Sequence, residues 1–161
     1  MPVLVLTIAV APIADPIMRT LAADVVATLV IFGWSYAYDN SSFYDAYWSV
    51  IPPAIAVYWV MLAEPTVPAL RTNGLLLVIF LWGIRLTWNW ARGWTGLDHE
   101  DWRYVDFRTQ FPRAYWLVSL GGIHFLPTLT VLAGLVLAWP APPEPLTASA
   151  VTLTSPESDS P

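Results

Sequence analysis

Cysteine is absent from the 161 residues, and so is lysine. The first absence excludes disulfides, thiolate metal sites and a cysteine nucleophile. The second leaves seven arginines as the whole cationic complement. Charge of either sign is sparse: Asp, Glu, Lys and Arg make up 12% of the chain against 57% hydrophobic residues. With a positive mean hydropathy, that balance excludes an ordinary soluble domain. Nucleic acid is excluded as a partner, because the net charge is -5 and the basic patch it needs is missing. A glycine-rich phosphate loop, a serine nucleophile elbow and a glycosidase-type carboxylate pair are missing too. What the chain has in quantity is ten Trp and seven Tyr, the residues of membrane-interface belts. The composition predicts an all-α, polytopic membrane helix bundle in contact with lipid.

Punctuation places about four transmembrane helices, at about 16–38, 46–63, 68–94 and 113–139, within one helical domain spanning 15–139. Asp15 before Pro16 supplies a side-chain acceptor at the cap and proline at the first helical position. Asp39-Asn40-Ser41-Ser42 reads as a turn, and Glu64-Pro65 stops the second helix. Pro52 and Pro53 each remove a backbone donor, so a kink is expected there; Gly121, Gly122 and Pro127 predict another in the fourth helix. Residues 1–14 read as an apolar lead-in without the positive start of a secretory signal. Residues 140–161, rich in Pro, Ser and Thr, read as a disordered tail. Four crossings put the Asp39 turn and the loop 95–112 on one side. Arg92, Arg103, Arg108 and Arg113 flank that side, which the positive-inside rule makes cytoplasmic. Asn40-Ser41-Ser42 matches a glycosylation acceptor, but this orientation puts it in the cytosol.

Arg85 lies in the stretch 74–94, which contains no acidic residue. An arginine inside an apolar span is costly, and intramembrane charges default to function. Asn89 and Arg92 follow at i+4 and i+7, on the same helix face. His124 falls at a similar depth below the same interface. Arg85, Asn89, Arg92 and His124 are therefore candidate cavity residues, able to bind a phosphate or polarise a carbonyl, with the imidazole as the titratable group. Two other readings stand beside this one: a structural ion pair between Arg85 and Asp24 of the first helix, and an arginine that snorkels unpaired.

The loop following the third helix contributes Glu100, Asp101, Arg103, Tyr104 and Arg108 as a candidate rim. Its guanidinium forks suit phosphate, while its interleaved opposite charges also read as a locally paired structural loop. His99-Glu100 lacks a second histidine at i+4, where Arg103 stands, so no metal site is expected.

Two separated aromatic-polar runs, Asp39 to Pro52 and Leu81 to Arg92, the latter continuing to His99-Glu100-Asp101-Trp102-Arg103-Tyr104, are similar to the N-terminal half of an uncharacterised multi-pass membrane family related to the steroid 5-alpha-reductases. The likeness spans about Ala23 to Leu137. It implies a reductase-like helical membrane fold, a lipid-soluble substrate and NADPH as cofactor. The superfamily's His-Pro-x-Tyr element has no counterpart, since this sequence contains no His-Pro dipeptide. The expectation is therefore a truncated reductase-like module, inactive alone, with catalytic residues unassigned. A lipid or prenyl-protein methyltransferase-like enzyme and a non-catalytic lipid-binding or assembly subunit with a partner polypeptide remain as alternatives.

Overall fold

The computed structural model describes residues 15–62 and 68–139. The expected lead-in, the stop at Glu64-Pro65 and the expected tail lie outside the described residues. Among the described residues six α-helices run in order: α1 (Pro16–Ala37), α2 (Phe43–Leu62), α3 (Ala69–Gly93), α4 (Trp102–Gln110), α5 (Tyr115–Val118) and α6 (Leu126–Ala138). A π-helical segment, Ser119–Phe125, joins α5 to α6. No strand is present among the described residues, and the architecture is an all-α membrane helix bundle. Among the described residues three helices are long and apolar enough to cross a membrane: α1, α3 and the continuous Tyr115–Ala138. At about 1.5 Å rise per residue each exceeds a hydrocarbon core of roughly 30 Å. α2 is not among the three. It packs against α1, α3 and α6 and is the interior helix of the bundle.

Local chemistry sets the helix ends. The Asp15 side chain accepts from the Met18 N–H at 2.8 Å, with Pro16 in the first turn, so α1 starts where the sequence places it. α1 ends with Asp39 in the left-handed region (φ 51°), the Asn40 N–H donating to the Ser35 carbonyl at 2.9 Å and the Asp39 N–H to the Tyr36 carbonyl at 3.3 Å. These are the two bonds of a Schellman cap. α2 begins three residues earlier than expected, at Phe43, and continues through both prolines.

One expectation is corrected here. The polar stretch expected as loop contains the nine-residue helix α4, started by the Asp101 carboxylate accepting from the Arg103 N–H at 3.0 Å. It is too short and polar to display an apolar period, so its sequence reads as loop. The expected bend in the last helix takes the form of the π-helical turn, across which the Leu126 N–H reaches back to the Gly121 carbonyl.

Small residues bring the helices together, as packing in lipid demands. Ala23 and Ala27 of α1 meet Ile51, Ile55, Ala56 and Trp59 of α2, with Leu132 and Leu135 of α6 completing the cluster. The tightest approach joins α2 to α3. A Cβ built on Gly83 would fall 2.8 Å from the Pro53 Cγ and 2.8 Å from the Ser49 carbonyl oxygen. That carbonyl is the one Pro53 leaves without its helical donor, and the bare α3 backbone covers it. The Ser49 and Thr87 hydroxyls add a bond of 2.9 Å across the same seam. Gly83→Val is therefore expected to lower stability by about 2 kcal/mol, through overpacking. Gly33→Ala, into open space, should be neutral. Unfolding by sodium dodecyl sulfate in mixed micelles reads both, and equal midpoints for the two variants would rule out the close approach.

Candidate functional site

The polar residues that sequence scatters are collected at one end of the bundle. Asn40 is 2% exposed; its amide donates to the carbonyls of Leu97 (2.9 Å) and His99 (2.8 Å), and its carbonyl accepts from the Ser42 N–H at 2.9 Å. The Ser42 hydroxyl accepts from the Asp101 N–H at 2.8 Å. These bonds fasten the α1–α2 turn to the segment before α4, so the two expected loops share one end.

Glu100 is the hub of that end. Its Oε1 accepts from the Ser41 N–H (2.8 Å) and from the Tyr115 hydroxyl (3.0 Å). Its Oε2 accepts from Arg108 Nε at 2.8 Å. The Arg108 guanidinium also pairs with the Asp39 carboxylate at 2.9 Å and lies over the Tyr115 ring, 4.0 Å from its centroid. Burial works against its positive form, but Glu100 and the Tyr115 oxygen outweigh that and hold its pKa above the ordinary value.

A second cluster joins α2 to α4. The Tyr104 hydroxyl donates to Asp45 at 2.6 Å, and Arg103 bonds Asp101 at 2.8 Å and Asp45 at 3.4 Å. Burial, followed by the neighbouring Asp45 charge, pushes the Tyr104 hydroxyl well above its usual range. Burial pushes Asp101 upward, but its bonds from Arg103 prevail, and its pKa sits below the ordinary carboxylate value.

From Glu100 a line of hydroxyls leads inward. Tyr115 and Ser41 are 2.7 Å apart, Ser41 and Ser119 3.0 Å, and Ser119 stands at the start of the π-helical turn. His124 ends the line, fully buried. Its Nδ1 lies 2.9 Å from the Ser119 carbonyl and its Nε2 lies 3.2 Å from the Ser35 hydroxyl. A carbonyl can only accept, so Nδ1 carries the proton and Nε2 accepts from Ser35. The widened turn makes this possible by setting residue 124 back onto residue 119, five positions earlier; π-turns of this kind frequently mark functional positions. Phe32 and Tyr44 contact the imidazole ring, with centroids at 5.3 and 4.8 Å.

Beside the clusters a cavity of about 300 Å³ opens between the ends of α2 and α3 and the segment before α4. Its walls are Trp48, Trp90, Trp94, Leu86 and Gly93, and its polar groups come from Ser42, Asp45, Asn89, His99, Asp101 and Arg103. The Trp90 indole N–H is buried without a hydrogen-bond partner.

The four candidate cavity residues are not brought together. Asn89 lines the cavity, Arg85 and Arg92 are exposed on the outside of α3, and His124 is enclosed by α1, α2 and the π-helical turn. The ion pair between Asp24 and Arg85 does not form: α2 stands between α1 and α3, and Asp24 instead accepts from the Tyr47 hydroxyl at 2.6 Å. The five expected rim residues fall into two clusters, Glu100 with Arg108, and Asp101, Arg103 and Tyr104 around Asp45, and of the five Asp101 and Arg103 face the cavity. Asn40, Ser41, Asp45, Trp90 and Ser119 were missed. The signal for the first two was present, as a polar turn flanked by aromatic residues on both sides.

Among the described residues, no group of His, Cys, Asp and Glu could hold a metal. No curated protein and no solved structure matches the chain. A family model described as protein of unknown function (DUF1295) matches residues 31–145, which include the Asn40 turn, Glu100, the cavity walls and His124. The chain thus belongs to the DUF1295 family.

Proposed function

We propose that the chain is a steroid-reductase-like membrane module that seats the polar end of a lipid-soluble molecule in the interfacial cavity, at the end the arginine count assigns to the cytoplasm. One observation carries this reading: Trp90, a wall residue of the cavity, holds a buried indole N–H with no hydrogen-bond partner. A buried donor without an acceptor is uncommon, and a ligand carbonyl or hydroxyl would satisfy it while its apolar body lay along Trp48 and Leu86. The size suits a small ligand's end rather than a dinucleotide.

NADPH, the cofactor the resemblance implies, does not fit the described residues. The forks of Arg103 and Arg108 are closed on carboxylates, and Asp45 and Asp101 face the cavity, so a phosphate would meet negative charge. The proposed module therefore does not oxidise NADPH by itself.

Binding of a steroidal enone to the chain in nanodiscs, against empty nanodiscs, tests this reading. Trp90→Phe keeps the ring and removes the donor, and is expected to weaken binding about fivefold to tenfold, the worth of one hydrogen bond. Unchanged affinity in that variant would overturn the assignment, and NADPH consumption above the empty-disc rate would overturn the inactivity.

A second reading, a non-catalytic assembly subunit, is favoured by a different observation: a face of α3, bearing Arg85 and Arg92, that no other described helix covers.

A further inference from the structure

α3 is the barest of the helices long enough to span. Its packing is against α2, and in its 25 residues only Thr72, Ile79 and Gly83 are buried. Val78, Leu81, Arg85, Trp88 and Arg92 are exposed along one continuous stripe at helical spacing. Arg85 makes no hydrogen bond or ion pair among the described residues. It stands eight residues before Gly93, about 12 Å along the axis. Its side chain leans toward the helix N-terminus, away from that nearer interface. Headgroup phosphate is thus poorly placed to neutralise it, and bare hydrocarbon is a poor solvent for it.

We propose that the outer face of α3 docks a transmembrane helix of another polypeptide that bears a carboxylate at the depth of Arg85. Charge complementarity selects this occupant. A second copy of the chain would set Arg85 against arginine, and the carboxylate α1 holds within its span, Asp24, is buried and bonded to Tyr47. Val78, Leu81 and Trp88 supply the apolar contact, and the ion pair fixes its register, because only one rotation and depth of the partner satisfies the guanidinium. This inference deepens the assembly reading and is independent of the enone site; its failure leaves the Trp90 result unaffected.

The test uses the full chain in phosphatidylcholine vesicles, with resonance energy transfer to a synthetic apolar helix of about 20 residues carrying Glu, Gln or Leu at its centre. The Glu peptide is expected to associate about tenfold more strongly than the Leu peptide, an interhelical polar contact's worth. Arg85→Leu and Arg85→Gln should both erase that difference, while Arg92→Leu should keep it. Circular dichroism checks that the variants remain helical. Equal association of the Glu and Leu peptides overturns the proposal, as does an advantage that survives Arg85→Leu. Arg85-dependent self-association without peptide would assign the face to a second copy. Loss of the Glu advantage on replacing phosphatidylcholine by phosphatidylglycerol would assign Arg85 to lipid phosphate. Either result overturns the docking of a carboxylate helix.

Discussion

Glu100→Ala is expected to lower stability by about 3 kcal/mol, the largest effect of any single change at the polar end of the bundle. The substitution removes Oε1 from the Ser41 N–H and the Tyr115 hydroxyl, and both oxygens from Arg108. Ser41 is fully buried, so its N–H gains no water in exchange and bears the desolvation cost. Arg108 has 27% of its side chain exposed and keeps Asp39, which limits its own share, since partly solvated pairs contribute less. Glu100→Gln separates the two parts. It preserves an acceptor for Ser41 and Tyr115 and abolishes the charge pair, so it should cost about half as much. Unfolding midpoints in mixed micelles decide the matter. A Glu100→Ala variant within about 0.5 kcal/mol of the parent, the scatter of independent sites, would mean the hub is not formed in the folded state.

The contrast between helices and hub explains what could be read from the sequence. Helix starts are local: Asp15 and Pro16 determine α1 between them, and apolar length gives α1, α3 and Tyr115–Ala138 directly. The hub is not local. Ser41 and Glu100 are 59 positions apart, Asn40 and His99 likewise, and no spacing rule connects a turn with a capped nine-residue helix. The charged residues of this end stand out in the sequence because charge is scarce in an apolar chain. Their partners were overlooked because serine and asparagine in a turn are unremarkable until an acceptor is seen nearby. His124 was expected to face Arg85, but a straight helix does not reveal that a π-turn brings its Nδ1 back to the Ser119 carbonyl. Arg85 failed differently. Its exposed position is legible only once α2 is seen to occupy the space between α1 and α3.

That placement of α2 fixes the outcome for Asp24. Tyr47→Phe is expected to cost about 2 to 3 kcal/mol, because it strips the carboxyl of the hydroxyl 2.6 Å away and leaves a buried polar group with no replacement. Asp24→Leu should be milder, about 1 kcal/mol. The Tyr47 hydroxyl also lies 3.2 Å from the backbone carbonyl of residue 24, and that acceptor survives the substitution. The asymmetry is the signature of the Asp24–Tyr47 bond: losing the donor orphans an acid, whereas losing the acid leaves the donor a second acceptor. An ion pair between Asp24 and Arg85 would produce the opposite pattern, with Asp24→Leu and Arg85→Leu each severe and the double variant largely restored. With α2 between them the two changes should add, with a coupling below about 0.5 kcal/mol. Arg85→Leu alone should be neutral or stabilising for the isolated chain, since it removes a charge that has no partner among the described residues. Measured in one double-mutant cycle with Tyr47→Phe as reference, a coupling between positions 24 and 85 above about 1 kcal/mol would place α3 against α1 and displace α2 from the interior.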